Sequence, residues 1–154
     1  MTQTPSSRLE QLGIALPPVV TPLAAYTPAT SVGSQVWTSG QLPMVDGALA
    51  ATGKLGGQIS LEQGADLARQ AALNAIAAAA GLAGGIDRIT RVLKVVVYVA
   101  SEASFTDQPK VANGASVLLG EVFGDAGVHV RSAVGVSVLP LDSPIEVELV
   151  VETA

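Results

Sequence analysis

Cysteine is missing altogether from these 154 residues, and histidine occurs once, at position 129. Disulfides, thiolate chemistry and cysteine-ligated metals are therefore excluded. A histidine-built zinc site or a Ser-His pair has only His129 to draw on. Aromatic side chains are scarce too: one tryptophan, two tyrosines and two phenylalanines. Basic residues number eight against thirteen acidic ones, for a net charge of −5 at pH 7. They are scattered, with only Arg88, Arg91 and Lys94 forming a weak group. A non-specific nucleic-acid binder needs clustered Lys and Arg to displace counterions, so no nucleic-acid partner is expected. Composition leaves an oxygen-ligated cation open, but no Asp/Glu-rich loop has calcium spacing, and no metal site is expected. A basic-then-apolar leader is absent, and Pro17-Pro18 interrupts the first apolar run. The Ala-rich segment is cut by Gly81 and Gly84-Gly85 before it reaches membrane-spanning length. These patterns predict a soluble cytoplasmic protein with no membrane contact.

What the chain has instead is small apolar residues, alanine above all, which favour close packing of one element on another. Its length fits a single domain, residues 1–154, with 1–18 as an N-terminal extension. Within that extension Arg8–Gly13 reads as a short helical turn closed by Gly13. Prolines 17, 18, 22 and 28 bias Val19–Tyr26 toward extended backbone. Gln35–Gly40 reads as a strand, and Asp46-Gly47 as a hairpin turn leading into a short strand over Ala48–Thr52. Ser60 with Gln63 forms a capping box opening an Ala-rich helix that runs to about Gly81. Ile89–Ala100 is a β-branched strand whose Val95-Val96-Val97 centre predicts burial on both faces. A second helix is expected within Phe105–Phe123, with Pro109 in its first turn, Gly124 at its end, and Val111, Ala115, Leu118, Leu119 and Val122 as its core stripe.

The most regular pattern lies near the C-terminus. From Arg131 to Val138 apolar and small residues alternate, and Ile145–Val151 alternates again. Matching apolar faces predicts a hairpin that pairs Val138 with Ile145, Val136 with Val147 and Val134 with Leu149. Arg131, Ala133, Gly135, Ser137, Glu146 and Glu148 would then share the other face, with roughly 20 Å between Arg131 and Glu146 at strand spacing. No single hairpin could join those two charges, whereas a second copy of the face could. The Ala/Gly/Ser character of that face predicts that another subunit covers it. The element order gives an α+β fold, a sheet with two helices on one face.

Other candidates are weak on their own. Gly53-Lys54-Leu55-Gly56-Gly57 lacks the spacing of a phosphate loop and reads as a flexible glycine loop. Glu146 and Glu148, two apart on one strand face, are a common surface arrangement. His129 reads as structural, and Ser39 has no evident base.

Taken together, Thr38-Ser39-Gly40-Gln41-Leu42-Pro43, a helix bearing Asn74, Arg131-Ser132-Ala133-Val134, Leu139-Pro140 and Ile145-Glu146-Val147-Glu148 resemble the YjgF/RidA family, in a divergent branch. The likeness runs in order from about Tyr26 to Val151. It implies a chorismate-mutase-like α+β fold with a mixed sheet, assembled as a homotrimer around a central barrel, with ligand clefts between subunits. It further implies cofactor-free hydrolysis of enamine/imine intermediates such as 2-aminoacrylate to 2-oxo acids and ammonia. By the same resemblance, Arg131 matches the arginine that grips the substrate carboxylate and Glu146 the acid that positions water. Tyr26, Ser39, Gly40 and Asn113 match residues lining the cleft, and Ala133 stands where cysteine is common and its carbonyl helps hold the water. The alternative is a module that binds small carboxylates in the same clefts without turnover. RNA cleavage, attached to some relatives, ranks below both on charge.

Overall fold

Each long helix is set by local signals that the chain carries at its ends. In a computed structural model, which describes residues 2–22 and 24–154, helix α2 spans Leu61–Ala83 and helix α3 spans Gln108–Phe123. Both halves of the Ser60/Gln63 capping box are formed, and Gly84 closes α2 in the left-handed region. Pro109 sits in the first turn of α3, where its missing N–H costs nothing. A shorter helix, α1, spans Pro5–Leu12 and ends on Gly13 with φ 69°. The segment read as an extension is thus part of the fold. Leu9 enters the core, and Asp87 accepts bonds from the Ser6 backbone N–H and hydroxyl at 2.8 and 2.6 Å. Of the stretch Val19–Tyr26, Leu23 lies outside the described residues and the rest forms no helix or strand.

Strands β1 (Ala29–Val32), β2 (Gln35–Thr38), β5 (Ile89–Ala100), β6 (Val130–Val136) and β7 (Ile145–Thr153) form one mixed sheet in the order β1-β2-β7-β5-β6. Strands β3 (Met44–Val45) and β4 (Ala48–Leu49) make a separate hairpin, turning through Asp46 and Gly47 at φ 52° and 82°. That positive pair is what an Asp-Gly turn supplies. The sequence reading missed β1 altogether, because Ala29-Thr30-Ser31-Val32 has little apolar patterning.

The predicted hairpin between β6 and β7 does not exist. β5 lies between them, parallel to β6 through the α3 crossover and antiparallel to β7. Alternation fixes which residues share a face but not which strand lies alongside. The faces also sort differently. Val95, Val97 and Val99 point into the helix layer, and their partners there are Arg131, Ala133 and Gly135 on β6 and Leu149, Val147 and Ile145 on β7. Of the small residues on this face of β6, Ala133 is half-buried against the core, while Gly135 is exposed although a Cβ there would press on Gln108 of α3. Glu146 and Glu148 lie on the opposite, open face with Val96 and Tyr98. Val96 is half-buried, so burial of β5 on both faces holds only in part.

The core is a single apolar cluster between sheet and helices, in which Leu118, Leu119, Val111, Ile76 and Val147 are fully buried. The glycine segment at 53–57 is anchored in it: Leu55 is fully buried, and its N–H donates to the Ala100 carbonyl at 2.8 Å. It is a fixed turn rather than a flexible loop. The buried amide of Asn74 donates to the carbonyls of Leu42 and Met44 at 2.9 and 3.0 Å, tying α2 to the segment that follows β2. Among the described residues no helix is long and apolar enough to cross a membrane.

Candidate functional site

The seven residues singled out by sequence fall into two groups on opposite faces of the sheet. The first lies between β6 and α3. Asn113 and Ser116 stand three apart on α3 and so project from one side of the helix. Arg131 on β6 reaches them: Nη1 donates to Asn113 Oδ1 at 2.8 Å and to Ser116 Oγ at 3.1 Å, and Nη2 approaches the Pro109 carbonyl at 3.4 Å. Ser116 is in turn 2.9 Å from His129 Nε2, while His129 Nδ1 is 2.6 Å from the Gly127 carbonyl. Ala133 follows on the same face of β6, half-buried. Ser116 and His129 are the members to which the sequence reading assigned no role in the site, His129 having read as structural; the i, i+3 spacing from Asn113 was the available signal for Ser116.

The second group surrounds Glu146. Its carboxyl lines a cavity of about 70 Å³ together with Tyr26, Gly40, Gln41, Leu42 and Pro140. Burial, and then the negative charge of Glu148, push the Glu146 carboxyl above the usual carboxylate range. The Tyr98 hydroxyl donates to Glu148 at 3.1 Å. Burial, followed by that bond and the two nearby carboxylates, raises the phenol as well. Ser39 does not line the cavity; its hydroxyl donates to the Thr27 carbonyl at 2.6 Å and so fixes the loop that carries Tyr26. Backbone bonds between Gln41 and Val147 at 2.7 and 2.9 Å hold Gly40 against Glu146.

Gly40 is required here for space. A Cβ at this position would overlap the Glu146 carboxyl, the movable end of a flexible side chain. Gly40→Ala should therefore swing the carboxyl toward solvent and return its titration toward the ordinary range, with stability changed by no more than about 1 kcal/mol. Carbon-detected NMR of the glutamate side chains reads this directly, and an unchanged Glu146 titration would mean the contact has no such effect.

The sequence expectation that Arg131 and Glu146 share a face is overturned, since one points into the helix layer and the other away from it. They are also separated by the full width of β5, about 10 Å across the sheet. Two separate environments result: an oriented cation and a poorly solvated carboxyl. Among the described residues no group of three or more His, Asp or Glu side chains is placed to hold a metal ion.

Residues 6–153 match the family described as "YjgF/chorismate mutase-like, putative endoribonuclease". Protein TCP17 of Trypanosoma cruzi is 41% identical over 148 residues, spanning 96% of this chain and 92% of that protein. A crystal structure described as a putative endoribonuclease from Shewanella oneidensis is 39% identical, with 97% and 99% of the two chains covered and a TM-score of 0.94. Atu1372 of Agrobacterium tumefaciens, of unknown function, is 38% identical over 97% and 92% of the chains, with a TM-score of 0.89. The fold is shared more distantly by E. coli TdcF, solved with bound serine, at 23% identity over 88% and 94% and a TM-score of 0.65. With the family match spanning nearly the whole chain and the α+β architecture in agreement, the chain belongs to the YjgF/chorismate mutase-like family.

Proposed function

We propose that the protein hydrolyses 2-imino acids and their enamine tautomers, of the 2-aminoacrylate type, to 2-oxo acids and ammonia, in clefts between the subunits of a homotrimer. One observation carries the reading: Arg131 and Glu146 lie on opposite faces of one sheet, each in a prepared environment that a neighbouring copy could complete. The open face supports such an assembly, because Trp37, Val130, Val134 and Val138 are all exposed there or at its margin. Apolar side chains gathered on one face favour burial against another surface.

In the proposed reaction Arg131 of one subunit grips the carboxylate with its planar fork. Glu146 of the neighbour holds a water against the imine carbon, with the Ala133 carbonyl as a further acceptor. Water adds to the C=N bond as its proton passes to Glu146 and on to the nitrogen. The carbinolamine then collapses, releasing ammonia and leaving the 2-oxo acid. Positioning accounts for most of the acceleration. Tyr26 and Gly40 shape the wall beside Glu146.

The test is ammonia release from a 2-imino acid generated in situ by an amino-acid oxidase or dehydratase, with assembly followed by sedimentation. Wild type should accelerate release over buffer. Arg131→Ala should raise KM by roughly 10- to 100-fold, the worth of a charge-assisted bidentate contact, with the trimer intact. A wild-type protein that is monomeric, or no faster than buffer on any amino-acid-derived imine, sinks the deaminase reading. Binding without turnover is the second reading, favoured by the three hydrogen bonds that already fix Arg131 for any carboxylate. It predicts thermal stabilisation by pyruvate with no catalysis. The endoribonuclease description of the family and of the Shewanella structure comes third, because the net charge is −5. Steep salt-dependent RNA binding would promote it.

A further inference from the structure

We infer that Ser116 and His129 are positioning residues for Arg131, and that together with Asn113 they leave its Nε–Nη2 edge as the face that receives a planar carboxylate. This rests on the reading of Arg131 as the carboxylate grip.

The polarity of the chain of bonds follows from its end. A carbonyl oxygen can only accept, so the short contact with Gly127 requires the proton on His129 Nδ1. The neutral ring then presents a bare Nε2, and Ser116 must donate to it across 2.9 Å. With its one hydrogen committed, the Ser116 oxygen turns its lone pairs outward and accepts from Arg131 Nη1 at 3.1 Å. Asn113 Oδ1 takes the other Nη1 hydrogen at 2.8 Å. Both hydrogens of Nη1 are spent, which blocks the end-on fork formed by Nη1 and Nη2. Pro109, at 3.4 Å, is the weakest of the three contacts and engages only one Nη2 hydrogen. Nε–H and an Nη2 hydrogen, held by nothing stronger than that long Pro109 contact, form the side-on fork that matches two carboxylate oxygens.

Each link also comes from a different element. His129 immediately precedes β6, Ser116 is on α3, and Arg131 is on β6. The network therefore fixes the guanidinium plane relative to both walls of the half-site.

Because His129 is the only histidine, its ring nitrogens give an unambiguous NMR signature. In full-length wild type the Nδ1–H tautomer should dominate. Ser116→Ala should keep that tautomer, which the Gly127 carbonyl fixes, but move the Nε2 resonance to that of a nitrogen with no hydrogen-bond donor; Ser116→Thr, which keeps the hydroxyl, should restore the wild-type Nε2 shift. A predominant Nε2–H tautomer in wild type overturns the inference whether or not the protein is an enzyme.

The functional arm measures pyruvate affinity and imine KM. Ser116→Ala and His129→Phe should each weaken both by up to about tenfold, with a much smaller fall in kcat, since the loss is in carboxylate binding. The double variant should be little worse than either single one, because the two residues act in series. If wild type is active and Ser116→Ala leaves KM and the Nε2 resonance unchanged, the positioning role is wrong. If wild type neither binds pyruvate nor turns over imine while the tautomer pattern behaves as stated, the network stands and the functional reading fails instead.

Discussion

Glu146→Gln should lower kcat for imine hydrolysis by roughly 10²- to 10³-fold, the usual worth of a positioned general base, while making the protein more heat-stable at neutral pH. The two effects have one cause. Burial raises the Glu146 carboxyl above the ordinary range, and the charge of Glu148 adds to that. The folded chain therefore binds this proton more tightly than the unfolded chain does. At low pH the group is protonated in both states and costs nothing. As pH rises through the unfolded value and then the higher folded one, the ionised form is disfavoured by folding and stability is lost. Glutamine removes that loss, so the melting curves of variant and wild type should coincide in acid and separate above that window. The same raised value suits a base that must take a proton from water. Equal melting temperatures at every pH, or unchanged kcat, would show that Glu146 is an ordinary surface carboxylate. Glu148→Gln is the companion measurement: it should bring the Glu146 titration down, since it removes the second cause of the shift.

The largest expected effect on stability is at Gly114. On α3 this residue faces the backbone of α2, and a Cβ there would overlap the Ala65 carbonyl. Backbone cannot swing aside as a side chain can, so Gly114→Ala must push two helices apart along one of the fold's principal contacts. Overpacking of this kind costs roughly 3 kcal/mol, or about 6–12 °C in melting temperature for a chain of this size. Gly120 lies on the same helix with nothing within 4 Å of its would-be Cβ. Gly120→Ala should instead stabilise by up to about 1 kcal/mol, the difference in helix propensity. Thermal melts of the two variants should thus move in opposite directions. A shift of the same sign and size in both would show that intrinsic propensity, rather than the close approach of α2 and α3, sets their effect.

Gly114 also marks the limit of what patterning discloses. A glycine inside a helix reads in sequence as a weakness, and only the position of Ala65 across the gap turns it into a requirement. Ser60 with Gln63, Pro109 and Gly124 are different: each acts on backbone within a few residues, so their consequences were legible and both long helices end within a few residues of expectation. Alternation in β6 and β7 correctly grouped residues by face within each strand. The partner of each strand was not legible, because a parallel crossover and a hairpin impose the same period of two.

The amino-acid sequence by itself determined the helices, the alternation of residues within each strand, the α+β class, the family, and the identity of Arg131, Asn113, Glu146 and Gly40 as residues worth weighing. Those features depend on short-range backbone preferences, or on motifs read in order along the chain. Only the tertiary structure decided that β5 separates β6 from β7, that Arg131 is braced by Asn113 and Ser116 of α3 with His129 behind Ser116, and that Glu146 looks out from the other face. The reason is that strand pairing and side-chain networks depend on contacts distant in sequence, whose energies are set by what happens to lie alongside.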